Sequence, residues 1–229
     1  VGLISIATGK YVSLLYQLSE SARQHLLPGN EVTQLVFSDR MPPPEVLMDQ
    51  AKCFCMPHLP WPLVTLLRYH YILGAERYLL DAFDYLFYLD VDMRLVDTVG
   101  DEILGDLVAV IHPCFYNRPA REYPFERRPQ STAAIQHLTG TERYYQGSFQ
   151  GGRTSVWLIA AKTMRDRINK DLDNRVIAVW HDESHWNKVL IETPPTVALP
   201  PAYSYPESLG LPFPPKILAL DKNHQEIRS

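Results

Sequence analysis

Two carboxylates one residue apart, Asp90 and Asp92, close the apolar and aromatic run Tyr85 to Leu89 in this chain of 229 residues. In extended backbone, residues i and i+2 point to the same side, so both side chains would project together beyond the carboxyl end of a buried strand. Open α/β sheets bind their ligands at that end. Paired hard oxygens that leave room for waters or phosphates suit Mn²⁺ or Mg²⁺ rather than a closed zinc site. The same spacing also serves a solvated turn that caps the next segment. A second concentration of chemistry is Trp180-His181-Asp182-Glu183-Ser184-His185. It reads either as a helix start capped by Asp182 or Ser184, or as a catalytic carboxylate held against an apolar ring that would raise its pKa. A third is Tyr144 to Gly152, glycine-rich with interleaved aromatics. Such a loop lets backbone approach a ligand while rings offer a stacking surface, and a structural turn with packed tyrosines explains it equally well.

These residues need a scaffold, and the pattern of the chain supplies one. Val1 to Ala7 reads as a strand, the Thr8-Gly9-Lys10 turn follows, and a helical period runs from Tyr11 to about Leu26 before Pro28-Gly29-Asn30. Gln34 to Ser38 and Lys52 to Met56 read as strands, and Leu63 to Leu80 as a helix containing Arg68. Alternating strands and helices up to residue 92 predict βαβ units, a mostly parallel sheet and right-handed crossovers. Gly9 stands without a Gly-x-Gly-x-x-Gly pattern, which disfavours a dinucleotide phosphate loop. Further on, Leu107 to Ile111 reads as a strand, Asn117 to Gln130 as a loop, and Thr154 to Asp171 as a helix with Thr154 as its cap. A short amphipathic helix covers Trp186 to Ile191. Eight prolines between Pro194 and Pro215 preclude helix and predict an extended arm over the surface. The polar end, Asp221 to Arg228, reads from its composition as a frayed tail.

A formal charge of −4 argues against a nucleic-acid binder or an anionic-membrane binder, either of which would show a basic face. No run is apolar enough to span a bilayer. Cys53, Cys55 and Cys114 make neither a disulfide framework nor a four-ligand zinc site.

Taken in order, several segments resemble one family, the retaining glycosyltransferases of family 6, which include the histo-blood-group A and B transferases and the α-1,3-galactosyltransferase. They are Tyr88 to Met93, His112-Pro113 with Phe115-Tyr116, Phe125-Glu126-Arg127-Arg128-Pro129-Gln130-Ser131, Tyr144-Tyr145 with Gly151-Gly152, Trp180 to His185, and Lys222-Asn223-His224-Gln225. The likeness covers essentially the whole chain. The Asp-x-Asp pattern is common to many transferases, whereas Trp-His-Asp-Glu-Ser-His together with Glu-Arg-Arg-Pro is specific. The short form resembles the bacterial or viral members, which would place it in the cytoplasm; a trimmed anchor would place it in the Golgi lumen.

The resemblance implies a GT-A fold in a single catalytic domain: a nucleotide-binding half over 1–92, an acceptor and catalytic half over 93–193, and a C-terminal arm over 194–229. It implies a UDP-sugar donor, a glycan acceptor and Mn²⁺, or Mg²⁺, on Asp90 and Asp92. Ile6, Ala7 and Tyr11 would contact uridine, and Val91 the ribose. Arg68 and Asp182 would hold the donor sugar, with Glu183 beneath the anomeric carbon as the catalytic residue, either a nucleophile or a stabiliser of an oxocarbenium-like state. His112, Trp180 and Glu183 would frame the acceptor. Gln146, Gly147 and Ser148 would select donor and acceptor, and Lys222 with Arg228 would close over the diphosphate. Pro124 departs from the pattern, because members commonly carry an acceptor-contacting threonine there. The implied activity is α-1,3 transfer of galactose or N-acetylgalactosamine to a β-galactoside. A non-catalytic glycan- or nucleotide-sugar-binding protein and a metal-dependent UDP-sugar hydrolase are the alternatives.

Overall fold

The computed structural model describes residues 1–222. Strand β1 (Gly2–Ile6) is apolar and fully buried, and it leads through a 3-10 turn at Gly9–Leu14 into helix α1 (Leu15–His25). Strands β2 (Thr33–Ser38) and β3 (Ala51–Cys55) follow in parallel. The region expected as one helix is divided into α2 (Leu63–Leu66), α3 (Arg68–Gly74) and α4 (Glu76–Ala82). Its joints, Leu67 and Ala75, have ψ near 10°, outside the helical well, so each unit changes direction.

Strand β4 (Tyr85–Leu89) lies parallel beside β1. It stops before the carboxylates. The Met93 N–H donates to the Asp90 carbonyl at 3.1 Å, so Asp90-Val91-Asp92 forms a turn into β5 (Met93–Leu95) instead of an extended continuation. Strand β6 (Val108–Ile111) and the nine-residue β7 (Tyr145–Arg153) come next, followed by α5 (Thr154–Asp173) and α6 (His181–Glu192). Thr154 makes no capping hydrogen bond, and its buried hydroxyl has no partner; Arg153 occupies the cap position.

The proline-rich arm is more than a wrapping. It contributes β8 (Val197–Leu199), which pairs in parallel with β6 at the sheet edge. It also contributes β9 (Tyr205–Pro206) and β10 (Ile217–Ala219), which join β5 in a second sheet. The seven-stranded sheet runs β3-β2-β1-β4-β7-β6-β8, parallel throughout except for β7. Helices α3 to α6 cover one face around Tyr69, Trp157 and Trp186, while α1 and the small sheet cover the other around Phe87, Phe149 and Ile217. All three cysteines are free. Among the described residues no helix is long and apolar enough to cross a membrane.

The glycine-rich stretch, expected as a loop or turn, is thus a central strand. A Cβ on Gly151 would stand 2.3 Å from the Leu86 carbonyl oxygen, and one on Gly152, at φ +135°, would stand 2.4 Å from the Asp106 oxygen. Glycine is used here for close approach of backbones rather than for flexibility. Gly151→Ala should destabilise the fold by about 1–3 kcal/mol, the usual cost of overpacking. Urea denaturation reads this directly, and an unchanged midpoint would contradict the tight β4–β7 contact.

Candidate active site

From β1 the chain steps outward to β2 and β3, then returns to β4 on the other side of β1. Such a reversal leaves a crevice at the carboxyl ends of the two neighbouring strands. A cavity of about 240 Å³ lies there. Ile6, Thr8 and Tyr11 after β1 form one wall, and Tyr88, Asp90, Val91 and Asp92 after β4 form another. His58, Trp61, Thr65 and Arg68 close a third, with Lys222 at the edge. Gly9, at φ +57°, lets the turn pass beneath the His58 ring, where a Cβ would stand 2.9 Å from that ring. His58 Nδ1 meets Thr8 Oγ1 at 3.0 Å, joining two walls.

Arg68, only 4% exposed, organises the floor. Its Nη1 lies 3.4 Å from Asp90 Oδ1 and donates to the Gly147 carbonyl at 3.3 Å. Its guanidinium stacks 4.4 Å over the Tyr88 ring, whose hydroxyl donates to Asp90 Oδ1 at 2.6 Å. Nε lies 3.0 Å from Asp182 Oδ2, yet its N–H is aimed at the Thr65 carbonyl. Asp182 Oδ2 therefore keeps its acceptor capacity although buried. Burial pushes the Asp182 pKa up to about 6, with Arg68 opposing the rise and Asp90 adding to it. Burial likewise raises Asp90, opposed by Arg68 and reinforced by Asp92. The Lys222 ammonium pairs with Asp92 Oδ2 and lies 5.5 Å over the Tyr11 ring.

Glu183 stands in the first turn of α6, next to Asp182. Its Oε1 accepts from the Tyr144 hydroxyl at 2.8 Å and its Oε2 from the Gly147 N–H at 2.9 Å. Burial raises its pKa to about 7, and those two hydrogen bonds limit the rise. Asn187, one turn further along the helix, exchanges two hydrogen bonds with the Tyr145 backbone at 2.8 and 2.9 Å and donates to the Glu183 carbonyl. It staples α6 to β7 and so fixes the carboxylate against Gly147. A β-bulge where β6 shifts register at Ala109 and Val110 turns the Gly147 amide out of the ladder.

His112 packs against Tyr144 and Phe115, with ring centroids 5.6 and 4.9 Å away. Its Nδ1 accepts the Cys114 N–H, so the proton sits on Nε2, and burial pushes its pKa down to about 4. The buried Gln146 Oε1 has no partner. Trp180 is half exposed.

The structure gathers Ile6, Tyr11, Arg68, Asp90, Val91, Asp92 and Lys222 around the cavity, and Arg68 links Asp182 and Gly147 to them. Ala7 lies beneath, packed with Leu15 and Val91. The Ser148 hydroxyl is 3.1 Å from Ser204 Oγ in the C-terminal arm, and its carbonyl accepts the Asp90 N–H. Trp180 and His112 lie outside the cavity wall, and Arg228 lies outside the described residues. Sequence reasoning missed Thr8, His58, Trp61, Tyr88, Tyr144 and Asn187 as parts of the site. A phenol inside a buried strand signalled Tyr88, and an asparagine four residues after Glu183 shares its helix face.

Tyr144→Phe removes a hydrogen bond that favours the ionised form of Glu183. Its midpoint should move above about 7 in a carboxyl-carbon NMR titration; no movement would remove Tyr144 as a partner.

Comparison with known proteins places these features in a wider set. The profile of glycosyltransferase family 6 matches residues 1–229. The rat (Rattus norvegicus) protein named histo-blood group ABO system transferase 2 is 37% identical over 239 residues, spanning 100% of this chain and 71% of its own. Globoside alpha-1,3-N-acetylgalactosaminyltransferase 1 of Gallus gallus is 33% identical, spanning 100% and 69%. O-antigen biosynthesis glycosyltransferase WbnI of Escherichia coli is 29% identical, spanning 98% and 96%.

Proposed function

The chain belongs to glycosyltransferase family 6, and from that premise we propose that it moves galactose or N-acetylgalactosamine from a UDP-sugar to the 3-hydroxyl of a β-galactoside-type glycan. The anomeric configuration is retained and the new linkage is α-1,3. The observation that carries this reading is the continuous path of charge from Asp92 and Asp90 through Arg68 to Asp182, with Glu183 adjacent. It spans from a cation site at the strand ends to a carboxylate hydrogen-bonded from two sides. The α-1,3 linkage is further supported by the name of the globoside relative, an alpha-1,3-N-acetylgalactosaminyltransferase.

The residues present fit a hard divalent cation. Asp90 and Asp92 leave one oxygen each outside the hydrogen bonds to Tyr88 and Lys222, and Asp92 adds to the rise that burial causes in the Asp90 pKa. Among the described residues no third His, Cys, Asp or Glu completes a cluster, so waters and diphosphate oxygens would fill the shell. Mn²⁺ or Mg²⁺ held there would neutralise the diphosphate as it departs.

On this reading Ile6, Tyr11 and Val91 flank the nucleoside over the support of Ala7, and Lys222 moves from Asp92 to the diphosphate. Arg68 and the unsatisfied Asp182 Oδ2 orient the donor sugar's hydroxyls. Glu183, aimed by Tyr144 and Gly147, faces the anomeric carbon and stabilises positive charge as the bond to UDP breaks. His112, neutral with its proton on Nε2, donates to the acceptor rather than removing its proton. Gln146 Oε1 accepts from a sugar hydroxyl, and Trp180 offers a ring face. Ser148 is bulkier than glycine and disfavours an N-acetyl group by a modest margin of about 1–3 kcal/mol.

The direct test is UDP release with Mn²⁺ across UDP-galactose, UDP-N-acetylgalactosamine and UDP-glucose, with and without lactose. Acceptor-stimulated release giving an α-linked product is expected. Release that lactose does not accelerate would leave hydrolysis or an acceptor other than lactose, and tight UDP-sugar binding without turnover would make it a binding protein. Asp92→Asn should remove the metal-dependent rate; wild-type turnover in chelator would dismiss the metal assignment. Glu183→Gln should lower kcat by about 10²-fold or more with donor affinity little changed, the signature of lost transition-state stabilisation.

A further inference from the structure

The segment between α5 and α6 delivers Asp182 and Glu183 to the site, yet little apolar packing holds it. The side chains of Ile177, Val179 and Trp180 are exposed, and only Ala178 among these four neighbours is buried. Arg175 in this connection and His181 at the first position of α6 adopt left-handed backbone at φ +58° and +49°. Such conformations persist only where the surroundings hold them. His181 immediately precedes Asp182.

What holds the segment comes from a distant part of the chain. Glu126, 2% exposed, accepts the Val179 N–H on Oε2 at 2.8 Å across 53 residues. Its Oε1 accepts the Arg128 amide at 2.8 Å and Nε at 3.0 Å, and its Oε2 accepts Arg128 Nη2 at 2.6 Å. The same Nη2 donates to the Ile177 carbonyl at 2.6 Å. One carboxylate and one guanidinium thereby grip the N–H and C=O at either end of a three-residue span. Burial opposes ionisation of Glu126, but the hydrogen bonds from Arg128 and Val179 outweigh it and hold its pKa at about 2. The grip is charged at every physiological pH. The following backbone continues the constraint: the His181 N–H donates to the Ala178 carbonyl at 2.9 Å, and the Trp180 N–H to Ser184 Oγ at 3.0 Å. Phe125, beside Glu126, packs 5.3 Å from the ring of Tyr144, the phenol that also hydrogen-bonds Glu183.

We propose that Glu126 and Arg128 form a positioning clamp that sets the orientation of the Val179–Glu183 turn, and with it the placement of the Glu183 carboxylate and of Asp182. Neither residue touches the reacting atoms. The proposal rests on the reading of Glu183 as the catalytic carboxylate. A displacement of about 1 Å from a residue remote from the chemistry can cost on the order of 10²-fold in rate, so the clamp acts on kcat.

The experiment uses the full chain with Mn²⁺, lactose and whichever of UDP-galactose and UDP-N-acetylgalactosamine turns over. Glu126→Gln, Arg128→Lys, Glu183→Gln and the double variant Glu126→Gln with Glu183→Gln are measured for kcat, donor dissociation constant and melting temperature. Arg128→Lys keeps a cation beside Glu126 but loses the fork, and it serves if Glu126→Gln fails to fold. Glu126→Gln should lower kcat about 10- to 100-fold, and Arg128→Lys by less, with donor affinity falling by a smaller factor than kcat because Asp182 shifts with the same turn. In the Glu183→Gln background, loss of Glu126 should cost no more than about twofold further, because residues acting through one group are non-additive. Multiplicative losses in the double variant, or a lower melting temperature with normal kcat, would overturn the clamp. A slow Glu183→Gln beside normal Glu126→Gln and Arg128→Lys variants would sink the clamp alone. Wild-type turnover by Glu183→Gln would instead sink the reading of Glu183, and the clamp with it.

Discussion

The buried guanidinium of Arg68 is the interaction on which the rest of the site depends. A cation almost wholly removed from water is tolerable only with close counter-charges and satisfied donors. Asp90 and Asp182 supply the charges, while the Thr65 and Gly147 carbonyls and the Tyr88 ring take its remaining surface. These partners come from α2, β4, β7 and α6, elements far apart in sequence. Their assembly around one fork-shaped group ties the turn after β4 to the start of α6. An ammonium could not replace it, because one point charge cannot face two carboxylates and a carbonyl in fixed directions.

The antiparallel β7 is the second constraint. Placed between β4 and β6, it must pass close to both, and Gly151 and Gly152 allow this because any side chain there would collide with backbone. At its other end the bulge frees the Gly147 amide for Glu183 and leaves its carbonyl for Arg68. One residue thus contacts both the catalytic candidate and the organising cation. A Cβ at Gly147 would stand 3.5 Å from the Glu183 Cβ and 3.7 Å from Asp182 Oδ2, filling the space between them.

The parallel half of the sheet was legible because its strands are continuous apolar runs punctuated by glycine and proline, a pattern set by burial on both faces. Asp90 and Asp92 were legible for the same reason, as an abrupt polar end to such a run. β7 was not, since glycines that serve close packing look like those that serve turns. The short strands β8 and β9 were hidden among prolines because they occupy sheet edges, where a missing N–H costs little. The partners of Glu183 escaped for a different reason. Tyr144 and Gly147 act through directed hydrogen bonds across 39 and 36 residues, and Asn187 bonds Glu183 within α6 while reaching the Tyr145 backbone 42 residues away, and no local period records such contacts. Membership of the family was carried by motif strings, whereas the roles within those strings depend on geometry that the strings do not encode.

The charge balance of the site is itself an argument about what must enter it. Asp90, Asp92, Asp182 and Glu183 face Arg68 and Lys222 among the described residues. Even with Asp182 and Glu183 shifted upward to about 6 and 7, the arrangement is at best neutral and tends to negative near neutral pH. A nucleoside diphosphate is anionic and would be repelled by such a surface unless a cation came with it. The attachment of Lys222 to Asp92 is one expression of that excess, and Asp92 adds to the rise that burial causes in the Asp90 pKa. On the proposed reading a divalent cation would relieve that excess and free Lys222 for the phosphates. Donor binding and metal binding would then be coupled, each strengthening the other by the same factor.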